Sequence, residues 1–356
     1  VMLPYRSLWS NTKFAFEVLE LEAGDKIVSM LPMAHMYGLA FEFLYEFSVG
    51  CHIYFLTRMP SPKIIFQAFE EVKPSLIVAV PLIIEKIIKK SVLPKLETPA
   101  MKILLKVPII NDKIKATVRE EMIKAFGGNF KAVIVGGAAF NQEVEQFLKM
   151  IDFPYTVGYG MTECGPIICY EDWRRFKPGS CGKAVPRMDV QVLSSDPENI
   201  VGELHVKGDN IMLGYYKNNE ATENAFKDGW LNTGDLAVMD KDNFIYLKGR
   251  SKNMILGPSG QNIYPEEIEG KLNNMPFVSE SIVIEKEGKL IALVYPDFEN
   301  AGKENITQKN IEIQMEENRI ALNKELPAYS QISQINIHYE EFEKTPKRSI
   351  KRYLYQ

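Results

Sequence analysis

The chain has 356 residues, 46% of them hydrophobic and 25% charged, with a formal net charge of −4. These are the values of an ordinary soluble globular protein, and nothing in the charge balance points to nucleic acid. At roughly 150 residues per domain, the length predicts two or three domains. Cys51, Cys164, Cys169 and Cys181 lack zinc-ligand spacing and no secretion signal accompanies them, so they read as reduced thiols in a cytoplasmic protein. The four histidines are too scattered for a metal cluster to be read from them.

The first residues, VMLPYRSLWSN, hold neither an initiating Met at position 1 nor a signal peptide, so the chain reads as processed or cut from something longer. From there to about residue 160, short apolar runs (KIVSMLP, HIYFL, SLIVAV, KAVIV, YTV) alternate with helix-period segments. Those segments are SPKIIFQAFEEV, NDKIKATVREEMIKAF and NQEVEQFLKM, the last opening on Asn141 as an N-cap. Such alternation predicts an α/β sheet covered on both faces. The most apolar stretch, SLIVAVPLIIEKII, is broken by Pro81 and Glu85 and is too short to span a bilayer, which leaves peripheral membrane contact open.

Near residue 180 the texture becomes strand-rich, with turn signals at Gly202, Gly208-Asp209 and Asp242-Asn243. After Arg250 it changes again. YPEEIEGKLNN places Pro265 in a helix's first turn with Glu266 and Glu267 at its positive end. Two strand-like runs (SESIVIE, KLIALVYP), a polar helix around residues 307–326 and a last strand, SQINIHY, complete a small α+β domain. The expected divisions are therefore 1–179, 180–251 and 252–356.

Five stretches could carry chemistry. VGYGMTECG (157–165) ends a buried strand in Gly158 and Gly160 and then offers Thr162 and Glu163, either as an ordinary exit from the core or as a phosphate and metal site. VIVGGAAF (133–140) ends in small residues against which a flat ligand could lie. GWLNTGDLAVMD (229–240) presents Asp235, whose carboxylate can accept from both hydroxyls of a ribose, or which simply occupies a β-turn. YLKGRSKNMILGPSGQNIYPEEIE (246–269) sets Arg250 before a Gly-rich loop that reads as a hinge, a passage or a linker. LPMAHMYGL (31–39) places His35 at a strand-to-helix junction, where a lone histidine is usually structural.

Taken together, the order and spacing of YGMTE, GWLNTGDL and GRSKNMI…GQNIYPEEIE resemble the acyl-adenylate-forming superfamily, and within it the long-chain fatty acid–CoA ligases. The resemblance covers essentially the whole chain. It implies a truncated α/β adenylate-forming domain with a β-rich subdomain and a mobile α+β C-terminal domain. It implies ATP and CoA as co-substrates, a fatty acid as the acid, and Mg²⁺ held by Glu163. Thr162 would bond the α-phosphate, and Tyr159 and Gly160 would lie along the nucleotide. Gly137, Ala138 and Ala139 would line the base pocket, and Asp235 and Arg250 would hold the ribose. Lys252 would be the hinge, Gly260 would border the passage for CoA, and His35 would stand near the acyl pocket and the incoming thiol.

Two departures accompany the resemblance. The family's Gly/Ser/Thr-rich phosphate loop should lie just before VMLPYRSL, so the chain is expected to be a fragment that adenylates poorly alone. In FEKTPKRSIKRYLY the position of the usual adenylation lysine is Ser349, with Lys347, Arg348 and Lys351 flanking it; Lys347 is taken as the catalytic cation. The rival readings are a related adenylating enzyme for another carboxylate or a carrier-protein acceptor, and a short form that binds nucleotide without catalysis.

Overall fold

The computed structural model describes residues 1–58, 61–93, 98, 108–257, 260–303, 306–345 and 350–356. The chain divides into two compact units, the first being Val1–Thr233 with Val238–Tyr246 and the second Gly234–Ala237 with Leu247–Gln356.

The apolar runs of the first unit become parallel strands. Strand β1 (Lys26–Ser29) pairs with β2 (His52–Phe55), and β3 (Ile77–Ala79), β4 (Val133–Val135) and β5 (Tyr155–Val157) pair in that order. One parallel bridge, Ile27 to Leu76, joins the two sets. Every residue of β3, β4 and β5 is buried, as continuous apolar strands covered on both faces must be. Helices α1 (Tyr5–Val18), α2 (Met36–Leu39) and α3 (Tyr45–Val49) come early, with a π-helical turn (Ala40–Leu44) between the last two. Then come α4 (Pro62–Val72), α5 (Pro81–Ser91), α6 (Pro108–Ala125) and α7 (Gln142–Met150). Ile65 and Phe69 of α4, Ile87 of α5, Met122 of α6 and Leu148 of α7 share one core with the β3–β5 strands.

The caps explain where these helices begin. The Asn141 side chain accepts from the backbone N–H of Glu143 (3.1 Å) and Val144 (3.2 Å), as its sequence position predicts. Ser61 does the same for Ile64, and Pro62 follows it at the first helical position. Helix α4 stops at Lys73, whose φ of 54° leaves the helical region, with Pro74 next.

Beyond β5 the chain runs through β6 (Tyr159–Gly160), β7 (Ile167–Tyr170) and β8 (Lys183–Ala184), which form an antiparallel sheet. Strands β9 (Met188–Leu193), β10 (Gly202–Gly208), β11 (Phe226–Lys227), β12 (Trp230–Met239) and β13 (Ile245–Arg250) make the strand-rich region foreseen there, with α8 (Asn219–Ala225) before β11. One turn signal is corrected. Gly202 opens β10 rather than a turn, and a Cβ on it would stand 2.2 Å from the Leu193 carbonyl oxygen of the paired strand. Glycine is needed there for close approach, so its presence carried no turn information. Asp242-Asn243 does turn, with Asn243 at φ 65°.

The second unit continues with a short hairpin of β14 (Ile255–Leu256) and β15 (Asn262–Ile263), which the sequence offered only as a loop. Helix α9 (Pro265–Leu272) has Pro265 at its first position and Glu266 and Glu267 in its first turn. Strands β16 (Val278–Lys286) and β17 (Lys289–Pro296) pair antiparallel across Glu287-Gly288, both with positive φ, as two-residue hairpin turns require. Helices α10 (Phe298–Lys303) and α11 (Gln308–Glu325) precede β18 (Gln334–Ile337), which lies parallel to β17. Ile268 and Leu272 of α9, Met315 and Leu322 of α11, and Val283, Ala292 and Val294 of the sheet form this unit's core.

Candidate active site

In a parallel sheet, ligands collect beyond the carboxyl ends of the strands, where loops leave the core. Three of the loops singled out by sequence emerge there in the first unit. His35 follows β1, Gly137–Ala139 follow β4, and Gly158–Glu163 follow β5. Gly137, Ala138 and Ala139 are exposed, whereas Tyr159 is buried and His35 is partly buried at the N-cap of α2. Tyr37, two residues beyond His35, ties this edge together: its hydroxyl donates to the Ile134 carbonyl (3.1 Å) and its ring lies against Gly136. Burial raises that phenol's pKa well above its ordinary value, so it remains a donor.

Thr162, Glu163 and Cys164 form a single 3-10 turn. Gly160 has a reason of its own to be glycine, because a Cβ there would stand 2.2 Å from the carbonyl oxygen of Pro166, the residue before the facing strand. Glu163 is gripped twice by residues 212–215. The Met212 N–H donates to its carbonyl (2.8 Å), and the Tyr215 hydroxyl donates to its Oε1 (2.9 Å). Burial and the neighbouring carboxylate push the Tyr215 phenol up to about 12. No described residue donates to Glu163 Oε2, which leaves that oxygen for a ligand.

The described residues contain no group of three or more His, Cys, Asp or Glu side chains able to cage a metal. A cation here would be held by Glu163 together with oxygens of a bound phosphate. That is the usual habit of Mg²⁺, which keeps few protein ligands, so the residues present fit it.

Upstream of this edge lie two further acids that the sequence did not single out. Glu42, on the π-helical turn, accepts through Oε2 from Ser29 Oγ (3.1 Å), Met30 N (3.0 Å) and Leu31 N (2.8 Å). Burial nevertheless raises its carboxyl to about 7. Glu46 is fully buried, neither oxygen reaches a donor on another described residue, and burial raises it to about 8.

In the second unit, Asp235 lies inside β12, not in a β-turn, and is 8% exposed. Its Oδ1 pairs with Arg250 Nε at 2.9 Å, so the carboxylate and guanidinium assigned together by sequence are in contact. Lys252 is exposed on a 3-10 turn (Ser251–Asn253), and Gly260 stands near the tip of the β14–β15 hairpin with a φ of +82°. The Asn253 side chain donates to Glu266 Oε1 (2.7 Å), and Lys248 pairs with Glu267 (2.9 Å). Lys347 lies outside the described residues.

Tyr37 and Tyr215 are the residues that sequence reasoning missed. Tyr215 is 52 positions from the carboxylate it holds, and nothing in the intervening pattern links them. None of the four cysteines forms a disulfide, as expected, and no helix among the described residues is long and apolar enough to cross a membrane.

A family model described as AMP-binding enzyme matches residues 1–216, and one described as AMP-binding enzyme C-terminal domain matches residues 252–355. The long-chain-fatty-acid–CoA ligase of Bacillus subtilis is 28% identical over 292 residues, covering 80% of this chain and 47% of that protein. The enzyme of the same name from Escherichia coli is 40% identical over 151 residues, covering 41% of this chain and 27% of that protein. The chain thus spans less than half the length of each. Among solved structures, the O-succinylbenzoate Coenzyme A synthetase of Bacillus subtilis in complex with ATP and magnesium ion superposes with a TM-score of 0.75 at 20% identity. It covers 99% of this chain and 65% of that one. A benzoate CoA ligase from Burkholderia xenovorans gives 0.76 at 20% identity, with the same coverage. These likenesses bear on the fold, and they agree with a larger α/β domain followed by a smaller one.

Proposed function

This chain belongs to the AMP-binding enzyme family, and from that premise we propose that its residues serve a long-chain fatty acid–CoA ligase. Such an enzyme joins a fatty acid to ATP and passes the acyl group to the CoA thiol. The observation that carries the reading is that the Thr162-Glu163 turn and the small-residue loop Gly137–Ala139 follow the ends of neighbouring parallel strands, with the Tyr215 hydroxyl on Glu163 Oε1. The name shared by the Bacillus subtilis and Escherichia coli relatives supports the long-chain acid over other carboxylates.

The chemistry then runs as follows. A carboxylate oxygen of the fatty acid attacks the α-phosphorus of ATP, the bond to the bridging oxygen breaks, and pyrophosphate leaves. The Thr162 hydroxyl donates to an α-phosphate oxygen, where negative charge accumulates. Tyr159, Gly160 and Gly137–Ala139 flank the nucleotide, and Asp235 with Arg250 takes the ribose hydroxyls. Glu163 would hold Mg²⁺, whose charge would offset that of the phosphates. The CoA thiol then attacks the acyl carbonyl and AMP departs. His35 faces that step, Gly260 borders the thiol's approach, Lys252 is the pivot between the two half-reactions, and Lys347 is the cation offered from the C-terminal segment.

The test is an acyl-CoA assay on the gene product that contains residues 1–356, with palmitate, benzoate and malonate offered separately. Palmitoyl-CoA formation is expected to dominate, and Glu163→Gln should lower palmitoyl-AMP formation at least about tenfold. Turnover of benzoate or malonate with none of palmitate would overturn the substrate assignment. An unaffected Glu163→Gln enzyme would overturn the metal assignment.

A further inference from the structure

We propose that Tyr215 is the positioning residue for the Glu163 carboxylate, holding Oε1 so that Oε2 faces a divalent cation. This rests on the reading of Glu163 as the metal's protein ligand. A glutamate side chain turns about three bonds, and Mg²⁺ accepts little departure from octahedral geometry. A lone carboxylate therefore binds it well only when something else fixes its orientation. The Tyr215 hydroxyl does so from 2.9 Å.

Tyr215 is itself held. Its backbone N–H donates to Thr222 Oγ1 (2.9 Å), and the Thr222 hydroxyl donates to the Asn218 carbonyl (2.9 Å). Gly214 lets Thr222 come this close, since a Cβ at residue 214 would stand 2.6 Å from Thr222 Cγ2. On the other side, Gly214 O accepts from Met2 N (2.8 Å), and Leu213 N donates to Met2 O (2.8 Å). The loop also grips Glu163 through the Met212 N–H, so main chain and carboxylate are fixed from one segment. The adjacent tyrosine has a different fate. Tyr216 is 69% exposed, with the Lys217 ammonium over its ring. Two neighbouring tyrosines thus separate a positioning role from a surface one, and they supply the control.

The experiment titrates Mn²⁺ into the gene product with a non-hydrolysable ATP analogue and follows free Mn²⁺ by electron paramagnetic resonance. Tyr215→Phe is expected to weaken Mn²⁺ binding by about 10- to 100-fold, the usual cost of losing a group that orients a ligand. Tyr216→Phe should stay within about twofold of wild type on the same scale. In the acyl-CoA assay, Tyr215→Phe should raise the half-saturating Mg²⁺ while kcat at saturating Mg²⁺ stays near wild type, a split that loss of folding would not produce. Wild-type Mn²⁺ affinity in Tyr215→Phe, with binding lost in Glu163→Gln, overturns the inference and leaves the metal reading standing. Wild-type affinity in Glu163→Gln overturns that reading as well. If Tyr215→Phe does not fold, Thr222→Val, which removes the acceptor holding Tyr215, takes its place; unchanged Mn²⁺ affinity there also overturns the inference.

Discussion

Both units bury glutamates, and they do it by different means. In the first, Glu42, Glu46 and Glu145 lie at 4% exposure or less, and no described residue forms an ion pair with any of them. Burial raises the three carboxyls to about 7, 8 and 7, and the remedy is to hold the proton. In the second, Glu269 on α9 is bidentate with Arg352 Nη2 at 2.6 Å to each oxygen, and it also accepts from Val283 N (2.6 Å). There burial outweighs the pull of the guanidinium, and this carboxyl too is raised to about 7. All four acids are raised by burial, and what sets Glu269 apart is a cation through which it fastens two segments together. The contrast fits what each unit holds. The acids of the first include two on the stretch that follows His35. The pair in the second pins the C-terminal segment carrying Lys351 and Arg352 to the body of the unit.

Breaking the paired acid should have the largest effect. Arg352→Met leaves Glu269 buried without its partner and is expected to destabilise the second unit by about 3–5 kcal/mol. Hydrogen exchange in α9 and β16 would measure it, with the loss growing above pH 7 as Glu269 comes to behave like Glu46. Unchanged protection would mean that the pair adds nothing.

The opposite change applies to Glu46. An acid whose folded value is raised keeps its proton longer when folded than when unfolded. Its contribution is therefore most favourable below the unfolded value near 4.5, and stability is lost as pH rises toward about 8. Glu46→Met removes that loss and should stabilise the first unit at pH 8 by on the order of a few kcal/mol, with a severalfold smaller gain at pH 5. Urea titrations at the two pH values would read the difference. An equal shift at both would show that Glu46 does not titrate in that window.

The smallest effect is expected at an exposed pair. Lys248 and Glu267 meet at 2.9 Å with 31% and 47% of their side chains exposed, and Lys248→Ala should cost less than about 1 kcal/mol. A larger loss in the thermal midpoint would mean that exposure is a poor guide to which pairs matter in this unit.

What the sequence revealed follows from the range of the physics involved. Strands β3 to β5 were legible because a doubly covered strand must be apolar along its whole length, and Asn141 because a cap acts within three residues. The exit from β5 through Gly158 and Gly160 was legible because the turn that follows, Thr162–Cys164, is local. Asp235 and Arg250 were paired through resemblance, and the structure puts them in contact. Gly202 misled because glycine serves close strand approach as readily as a turn. Residues 255–263 went unread as a hairpin because strands of two residues leave no alternation to detect. The acids at 42 and 46 sit in an apolar helical run, where sequence gives no sign that a carboxylate points inward. Tyr37 and Tyr215 act across 97 and 52 positions, beyond any periodicity.

Helix α1 has a consequence for how the protein is made. Ser7 Oγ donates to the Asn210 carbonyl across 203 positions, and Asn11 donates to Cys164 O across 153 and accepts from Ile167 N across 156. Arg187 reaches back to Glu17. Ser7 and Asn11 are buried in the finished fold, and these distant partners are still unmade when α1 leaves the ribosome. At about 5–20 residues per second, α1 emerges on the order of ten to forty seconds before the segments that satisfy it. Of the two rings that pack on the later-buried Phe14, Phe41 is made early and Tyr170 only with those distant segments. The edge bearing Glu163 is therefore completed only when residues near 210 become free to close over a helix made before them.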